Sequence, residues 1–353
     1  MAQHHFELKV RDGKLVVADI TDDGARITGA VISGDFFLEP EEAYDAINRA
    51  LVGAGIGEDA AALEGRITRE LSALDGVDLH GFSAKDVAVT ARRALVGAKD
   101  ITDYTWDVIH SPVLPSPVNV ALDQYLLDEV RAGRRHPTLR FWEWEDRAVV
   151  FGSYQSYANE LDQEGVERHG IVPVRRMSGG GAMFMEGGNC VTYSMYLPDD
   201  IVKGLSYVDS YQYLDAWVLA GLKSLGVNAW YVPINDITSD GGKIGGAAQK
   251  RIPGAVLHHT TMSYDIDADK MMEVLRVGKV KVADKGLRSA KKRVDPLRRQ
   301  TGVSRAEVID TLMATFMGRY PSREATLSDA DIAAAEKLVA EKYGTDAWTR
   351  RIP

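Results

Sequence analysis

Alternation of apolar and polar positions is the first regular feature of the chain. Residues 5–37, HFELKVRDGKLVVADITDDGARITGAVISGDFF, alternate in this way and are interrupted at Asp12-Gly13 and Asp23-Gly24. A period of two residues between Asp-Gly turns is typical of strands joined by hairpins. The segment therefore predicts a three-stranded meander.

Helical periodicity follows the predicted meander. Residues 41–55, EEAYDAINRALVGAG, begin after Pro40 and end in glycines, and residues 83–98, SAKDVAVTARRALVGA, repeat this pattern. Both segments predict amphipathic helices with glycine at the carboxyl end. The polar stretch AKDITD then interrupts the pattern, as is typical of a domain boundary. We predict a small α+β domain over residues 1–98.

The remainder of the chain mixes helical and strand-like patterns. Residues 117–133, PVNVALDQYLLDEVRAG, place apolar residues on one helical face, and residues 207–226 predict a second long helix. Strand-like segments occupy residues 147–154, 170–177, 189–198 and 228–234, and a hairpin that turns at Ile252-Pro253-Gly254 is predicted over residues 241–267. We predict a second α+β domain over residues 104–353.

Composition narrows the class of protein. The chain has 353 residues, 45% of them hydrophobic, which is enough for a large core and two domains. A net charge of -9 argues against a general nucleic-acid binder, and one cysteine excludes a disulfide within the chain. No run of about 18 apolar residues occurs, and the first residues contain no apolar signal segment. These features predict a cytoplasmic protein without a membrane partner.

Arginines and glycines are concentrated in one segment. Residues 172–190, VPVRRMSGGGAMFMEGGNC, place Arg175 and Arg176 directly before Ser-Gly-Gly-Gly. Guanidinium groups suit carboxylates and phosphates, and a glycine-rich backbone can direct its N–H groups at the same anion. The segment favours a site for an anionic small molecule. A glycine-rich hairpin with two solvated arginines is the alternative.

Three further motifs follow in order: Asn235-Asp236, the segment GGKIGGAAQ at residues 241–249, and His258-His259. Together with the arginine–glycine segment, they resemble the lipoate-protein ligase family over residues 104–350. The family has K-I-S-G-S-A and H-H-G-T where this chain has KIGGAA and HHTT. Residues 1–98 resemble the family's accessory domain, which in the better-known arrangement follows the catalytic domain.

The resemblance implies a fold and an activity. It implies a mixed-sheet, class II synthetase-like catalytic domain of the biotin/lipoate-protein ligase type, in an α+β protein. The implied reaction is ATP-dependent activation of lipoate or octanoate to acyl-AMP, followed by acyl transfer to a carrier lysine. The implied carriers are lipoyl domains of 2-oxoacid dehydrogenase complexes and the glycine cleavage H protein.

The resemblance also implies roles for individual residues. Residues expected to bind ATP or adenylate are Arg175, Arg176, Gly181, Ala182, Met183, Phe184, Lys243 and Lys285. Residues expected to bind lipoate are Lys243, Gly180 and His258, with Lys243 as the catalytic residue that bridges the carboxylate and the α-phosphate. Asp236 is the expected Mg²⁺ ligand, since Mg²⁺ commonly takes one or two carboxylates plus substrate phosphates. In isolation, a lysine between glycines or an Asn-Asp pair is more often part of a surface turn.

Several alternatives remain open from sequence. Related acyltransferases use a cysteine thiolate, so Cys190 allows an ATP-independent octanoyl or lipoyl transferase, and a non-catalytic acyl-adenylate-binding protein is a third reading. We expect Cys190 to be a buried strand residue. His258 and His259 are expected to point to opposite faces of a strand rather than to share a metal ion. The basic segment at residues 278–300 corresponds in position to the family's adenylate-binding loop, or forms a solvated face.

Overall fold

The computed structural model describes residues 1–11, 13–276 and 295–353. Asp12, Lys285 and most of the basic segment lie outside the described residues. The chain divides into two compact units, Met1–Asp100 with Asp200–Ser210, and Ile101–Asp199 with Tyr211–Pro353.

The first unit begins with the predicted meander. Its strands are β1 (Ala2–Lys9), β2 (Leu15–Asp22) and β3 (Ile27–Gly34), which pair antiparallel in the order β1-β2-β3. Val16, Ala18 and Ile20 alternate into the core, as the period of two predicts.

Helices α1 (Glu42–Leu51), α2 (Ala60–Leu71) and α3 (Ala84–Leu95) complete the core of this unit, beside the short pair β4 (Phe37–Glu39) and β5 (Asp78–His80). Helix α3 begins at Ser83, whose side chain accepts from Asp86 N in a capping box. Residues 200–210 join the unit because the buried Arg93 donates to the carbonyls of Ile201 and Lys203.

The second unit contains a mixed sheet of eight strands in the order β12-β13-β14-β15-β11-β7-β6-β16. The strands are β6 (Trp106–Leu114), β7 (Thr138–Trp144), β11 (Cys190–Pro198), β12 (Ala229–Val232), β13 (Asp236–Ser239), β14 (Gly242–Ile252), β15 (Ala255–Ser263) and β16 (Ser322–Ala325). The β6–β7 and β6–β16 pairs are parallel and the other pairs are antiparallel. The predicted hairpin of residues 241–267 is confirmed as β14 and β15.

A second sheet of three strands carries the arginine–glycine segment. Strand β8 (Ala148–Phe151) lies between β10 (Met183–Met185) and β9 (Val172–Arg175). Residues 176–182 connect the two edge strands past the end of β8, and we call them the glycine loop.

Helix α4 (Ser116–Arg131) packs against both sheets of the second unit, contacting β7, β9, β11 and β15. The other described helices are α5 (Tyr157–Glu160), α6 (Gln163–Arg168), α7 (Tyr207–Leu214), α8 (Ala216–Ser224), α9 (Ala268–Val274), α10 (Leu297–Thr301), α11 (Arg305–Arg319), α12 (Asp329–Leu338) and α13 (Asp346–Thr349), with a π-helical turn at Val339–Tyr343. None of the described helices is long and apolar enough to cross a membrane.

The prediction of a single continuous helix over residues 207–226 is wrong. The structure divides it at Asp215 into α7 and α8. The Asp215 carboxylate accepts from Tyr231 Oη at 2.7 Å and contacts His258 Nε2 at 2.6 Å, so buried hydrogen bonds to the sheet hold it at the junction. Tertiary hydrogen bonding therefore overrides the local helical periodicity.

Candidate functional site

A cavity of about 150 Å³ lies in the second unit, between the glycine loop and strands of the large sheet. Its apolar wall consists of Trp142, Trp144, Val150, Met183 and Met185. Its polar wall includes Arg176, Thr192, Asn235, Asp236, Lys243, His259 and Thr261, with the backbone of Gly180, Gly181 and Ala182 alongside. The cavity therefore has one side suited to an alkyl chain and one suited to charged groups.

Lys243 and Asp236 meet at the polar wall. Lys243 lies near the start of β14 and Asp236 at the start of β13, and Nζ lies 2.8 Å from Oδ1. Gly246 belongs to the same group, because a Cβ there would lie 3.5 Å from Lys243 Nζ. The close spacing brings an ammonium and a carboxylate to one point of the cavity.

Gly245 lies where strands β14 and β15 approach each other closely. A Cβ at Gly245 would lie 2.4 Å from the carbonyl oxygen of Thr261 on the neighbouring strand, far closer than such atoms approach. Glycine is therefore required at this position by the close approach of β14 and β15.

The Arg176 guanidinium is directed into the glycine loop itself. It donates to the carbonyls of Gly179 at 2.6 Å, Gly181 at 2.9 Å and Val150 at 2.9 Å. Burial lowers the pKa of Arg176 to about 10, which still leaves it protonated at neutral pH. In the free protein, Arg176 thus holds the loop in shape, and its role toward a nucleotide stays a prediction.

The orientation of the loop's N–H groups follows from these contacts. In a trans peptide the N–H points opposite to the preceding carbonyl, so fixing the Gly179 and Gly181 carbonyls on Arg176 turns the N–H groups of Gly180 and Ala182 away from it. Gly180 has φ +90°, a conformation that glycine adopts without strain. Within the described part of the chain, neither N–H donates a hydrogen bond. Both are available to an anion in the cavity.

Arg175 lies outside the cavity, although the sequence placed it at the nucleotide. Its fully buried guanidinium donates to the carbonyls of Gln155 at 2.7 Å, Thr349 at 3.1 Å and Gly152 at 3.1 Å. Trp348 Nε1 donates back to the Arg175 carbonyl at 2.8 Å. In the structure Arg175 instead fastens residues 348–352 to the segment that follows β8.

The two histidines of the pair lie on opposite faces of β15, as strand alternation predicts. His259 lines the cavity, whereas His258 is fully buried on the other face, with Nε2 2.6 Å from Asp215 Oδ1. Of the pair, His259 and not the expected His258 lines the cavity, because alternation does not say which face meets it.

His259 belongs to a buried chain of hydrogen bonds. Its Nδ1 lies 2.9 Å from Asp123 Oδ2 on α4, and its Nε2 lies 2.6 Å from Ser178 Oγ in the glycine loop. Ser178 Oγ also accepts from Arg176 Nε at 3.0 Å. Burial lowers the pKa of His259, so the imidazole is neutral at neutral pH.

Sequence analysis assigned no functional role to three members of this chain, Asp123, Ser178 and His259. A signal for Asp123 was present, since a carboxylate lies among the apolar positions of α4 and the structure buries it to 1% exposure. Ser178 is fully buried within the quoted glycine segment. Their convergence joins positions 136 residues apart, which periodicity does not reveal.

Phe184 and Cys190 are both buried and do not line the cavity. The Phe184 side chain packs with Val149 and Phe151 in a small core. Cys190 is 2% exposed, and burial raises the pKa of its thiol to about 11. The expectation of a buried strand cysteine is confirmed.

A metal site formed by protein side chains alone needs several ligating groups close together. Among the described residues, no group of three or more His, Cys, Asp or Glu side chains converges. Asp236 is the one carboxylate on the described cavity wall. The site can supply a single carboxylate ligand, which fits Mg²⁺ held mainly by substrate phosphates and water.

Comparison with protein families gives one match that covers more than half of the chain. The family described as the lipoyl protein ligase A/B catalytic domain matches residues 115–317. Lipoate–protein ligase 1 of Staphylococcus aureus is 31% identical over 240 residues, which are 65% of this chain and 69% of that protein. The octanoyltransferase LipM of Brevibacillus brevis is 26% identical over 278 residues, which are 70% of this chain and 99% of that protein.

Solved structures agree with the sequence relatives. A bi-partite lipoate protein ligase of Thermoplasma acidophilum, studied with its E2 lipoyl domain, superposes with a TM-score of 0.63 at 27% identity, over 71% of this chain and 98% of that chain. A lipoate-protein ligase A bound with ATP superposes with a TM-score of 0.61 at 25% identity, over 70% and 100%. These similarities confirm the predicted α+β fold of the biotin/lipoate-protein ligase type.

Proposed function

We propose that this chain, which belongs to the lipoyl protein ligase A/B catalytic-domain family, attaches lipoate or octanoate to a carrier lysine in two steps, the first of which consumes ATP. In the first step a carboxylate oxygen of the acid attacks the α-phosphorus of ATP, and pyrophosphate leaves. In the second step the lysine amine of the carrier attacks the acyl carbonyl, AMP leaves, and the amine loses a proton. Both steps build negative charge on phosphate or acyl oxygens.

The observation that carries this proposal is the pairing of Lys243 with the glycine loop at one cavity. The Lys243 ammonium and the N–H groups of Gly180 and Ala182, which have no acceptor among the described residues, are donors fixed before any ligand arrives. Preorganised donors of this kind stabilise developing charge without reorganisation during the reaction. The apolar wall of Trp142 and Trp144 suits the alkyl part of the acid.

Magnesium is the proposed companion of ATP. Asp236 would contribute one carboxylate, and the metal would neutralise charge on the phosphates when bound. The ion pair with Lys243 places Asp236 at the polar wall, where the triphosphate would lie.

A transferase that acts through a thiolate is the second candidate, favoured by the relatives named octanoyltransferase. Cys190 is the only cysteine of the sequence, so such a mechanism would depend on it. Its burial and raised pKa oppose a thiolate at neutral pH. The ATP-dependent reaction is therefore the better supported of the two, and a non-catalytic acyl-adenylate binder is the third.

The proposed acceptors are lipoyl domains of 2-oxoacid dehydrogenase complexes and the glycine cleavage H protein, in the cytoplasm. A solved relative studied with its E2 lipoyl domain supports this class of partner. Residues 1–98 are proposed to be the accessory domain and to assist adenylate formation, with residues 104–353 as the catalytic domain.

The decisive experiment supplies lipoate, ATP and Mg²⁺ with and without a lipoyl domain. The expected result is pyrophosphate release without the carrier, and an ATP-dependent mass increase of the carrier when it is present. Modification of the carrier without ATP, when an octanoyl thioester is supplied as the acyl donor and its thiol leaves, would favour the thiolate candidate. Tight acyl-AMP binding without turnover would favour the non-catalytic one.

The role of residues 1–98 has its own test. A fragment of residues 101–353 is expected to transfer the acyl group from preformed acyl-AMP to a lipoyl domain but to form little acyl-AMP from ATP. Equal pyrophosphate release by this fragment and by the intact chain would contradict a role of residues 1–98 in activation.

A further inference from the structure

The buried hydrogen-bond chain of Asp123, His259, Ser178 and Arg176 connects helix α4 to the glycine loop. Its successive distances are 2.9 Å, 2.6 Å and 3.0 Å. All four side chains are at least nine-tenths buried. Arg176 then donates to the loop carbonyls, so the chain ends on the backbone that lines the cavity.

The hydrogen positions in this chain follow from its chemistry. A carboxylate only accepts, so His259 carries its proton on Nδ1 and donates it to Asp123. Nε2 of the neutral ring then accepts from the Ser178 hydroxyl. Ser178 Oγ in turn accepts from Arg176 Nε, so each hydrogen has one acceptor.

The charges around His259 favour this neutral form. Asp123 and Arg176 face the ring directly, and Arg140 contacts Asp123 at 3.5 Å from β7. The buried group already holds two guanidinium cations and one carboxylate, so a third positive charge is costly. Lys243 and Asp236 also line the cavity, but they form an ion pair with each other and add no net charge.

We propose that His259 is a positioning residue of the nucleotide site. Asp123 keeps the His259 proton on Nδ1. The Ser178 hydroxyl then donates to His259 Nε2, which orients its oxygen to accept from Arg176. Arg176 in turn fixes the carbonyls of the glycine loop, so that the N–H groups of Gly180 and Ala182 face the α-phosphate. The identity of the anion rests on the proposed function, whereas the tautomer and the loop geometry do not.

A serine, a histidine and an aspartate in this order also resemble a hydrolytic triad. Ser178 is fully buried, does not line the cavity, and receives a hydrogen bond from a guanidinium. These features suit a hydroxyl that transmits geometry rather than one that attacks a substrate. Hydrolysis of p-nitrophenyl octanoate that is lost in Ser178→Ala would overturn the positioning role.

The substitution Asp123→Asn tests the tautomer directly. Asp123 Oδ1 accepts from Ser194 and Tyr196, so an Asn oxygen can remain there while its NH₂ group replaces Oδ2 and donates to His259 Nδ1. His259 must then carry its proton on Nε2. Ser178 Oγ would therefore face two donors, His259 Nε2 and Arg176 Nε. Nitrogen NMR of the full-length protein, with ¹⁵N in its histidine rings, distinguishes the two tautomers. The signal that disappears in the His259→Gln variant is assigned to His259.

ATP affinity, measured by calorimetry on the same proteins, reports whether the glycine loop keeps the geometry that binds the nucleotide. We expect Asp123→Asn and Ser178→Ala each to weaken ATP binding on the order of tenfold, the typical effect of losing one charge-assisted hydrogen bond. Ser178→Ala should leave the His259 tautomer unchanged. The control Tyr196→Phe removes a hydrogen bond to the other carboxylate oxygen. It should lower the Tm but leave ATP affinity within about twofold.

Two further results would overturn the inference: an Nε2–H tautomer in the wild-type protein, or wild-type ATP affinity in Ser178→Ala. If the wild-type protein binds ATP but releases no pyrophosphate, the proposed function fails while both measurements still decide the role of His259. If Asp123→Asn does not fold, Ser178→Ala and the wild-type tautomer decide it.

Discussion

Asp236 Oδ1 and Lys243 Nζ lie 2.8 Å apart, although their side chains are 36% and 39% exposed. Ion pairs with this exposure contribute about 0–1 kcal/mol to stability. The pair is therefore of little use to the fold. Its effect is to hold an ammonium and a carboxylate at the cavity before a ligand binds, so that substitutions there should affect chemistry far more than folding.

Lys243→Ala should lower pyrophosphate release on the order of 10²-fold, comparable to the loss of one preorganised donor. The Tm should stay within about 1 °C, because the pair is exposed. Lys250→Ala on the same strand is the matched control, since Lys250 does not line the cavity. Near-normal pyrophosphate release by Lys243→Ala would remove Lys243 from the mechanism.

Asp236→Asn separates metal binding from ion pairing. If Asp236 ligates Mg²⁺, the Mg²⁺ concentration that gives half-maximal pyrophosphate release should rise about tenfold or more, because the amide is a weaker ligand than the carboxylate. A lower maximal rate with an unchanged Mg²⁺ dependence would show that Asp236 acts only by orienting Lys243.

Cys190→Ser should retain acyl transfer within several-fold. The hydroxyl is less suited than a thiol to this apolar site, so a stability loss of about 1–2 kcal/mol is expected. Ellman's reagent should react slowly with the folded wild-type protein, since the thiol is buried and its pKa is about 11. Complete loss of transfer by a folded Cys190→Ser protein would instead support the thiolate mechanism.

Arg175→Lys should destabilise the second unit by about 2–4 kcal/mol, because an ammonium cannot serve all the buried carbonyls that the guanidinium reaches. Hydrogen exchange of residues 348–352 should increase in the variant. Tryptophan fluorescence follows this unit selectively, since all six tryptophans belong to it. Arg168→Lys, at an exposed ion pair with Glu273, is the control and should change neither measurement.

The stability of the second unit should fall on acidification through His259. Its folded pKa is lowered, so below about pH 6.5 the unfolded chain binds a proton that the folded protein resists. This contribution is lost at up to about 1.4 kcal/mol per pH unit until the folded pKa is reached. The advantage of the wild-type protein over His259→Gln should therefore shrink between pH 7.5 and 5.5.

His5 provides a control of opposite sign. Its hydrogen bond to Asp19 raises its pKa, so its small contribution is present below about pH 6.5 and is lost as the pH rises. A comparison of wild-type protein with His5→Gln should show no loss on acidification. A parallel pH dependence for the two variants would contradict the assignment to His259.

Local patterns predicted much of the fold. The alternation around Val16, Ala18 and Ile20 predicted the meander, and the turn at residues 252–254 predicted the hairpin of β14 and β15. The meander and the hairpin depend on neighbours in sequence, which is why one sequence was enough to predict them. The resemblance to lipoate-protein ligases, rather than any local pattern, suggested that Lys243, Asp236 and the glycine segment belong to one site.

The sequence by itself determined that His258 and His259 point to opposite faces and that an arginine pair precedes three glycines. Only the tertiary structure decided that His259 and Arg176 adjoin the cavity while His258 and Arg175 are buried elsewhere. Period and spacing assign side chains to the faces of one element. Which face meets a cavity depends on the distant segments that pack against it, here an aspartate 136 residues before the histidine that it contacts.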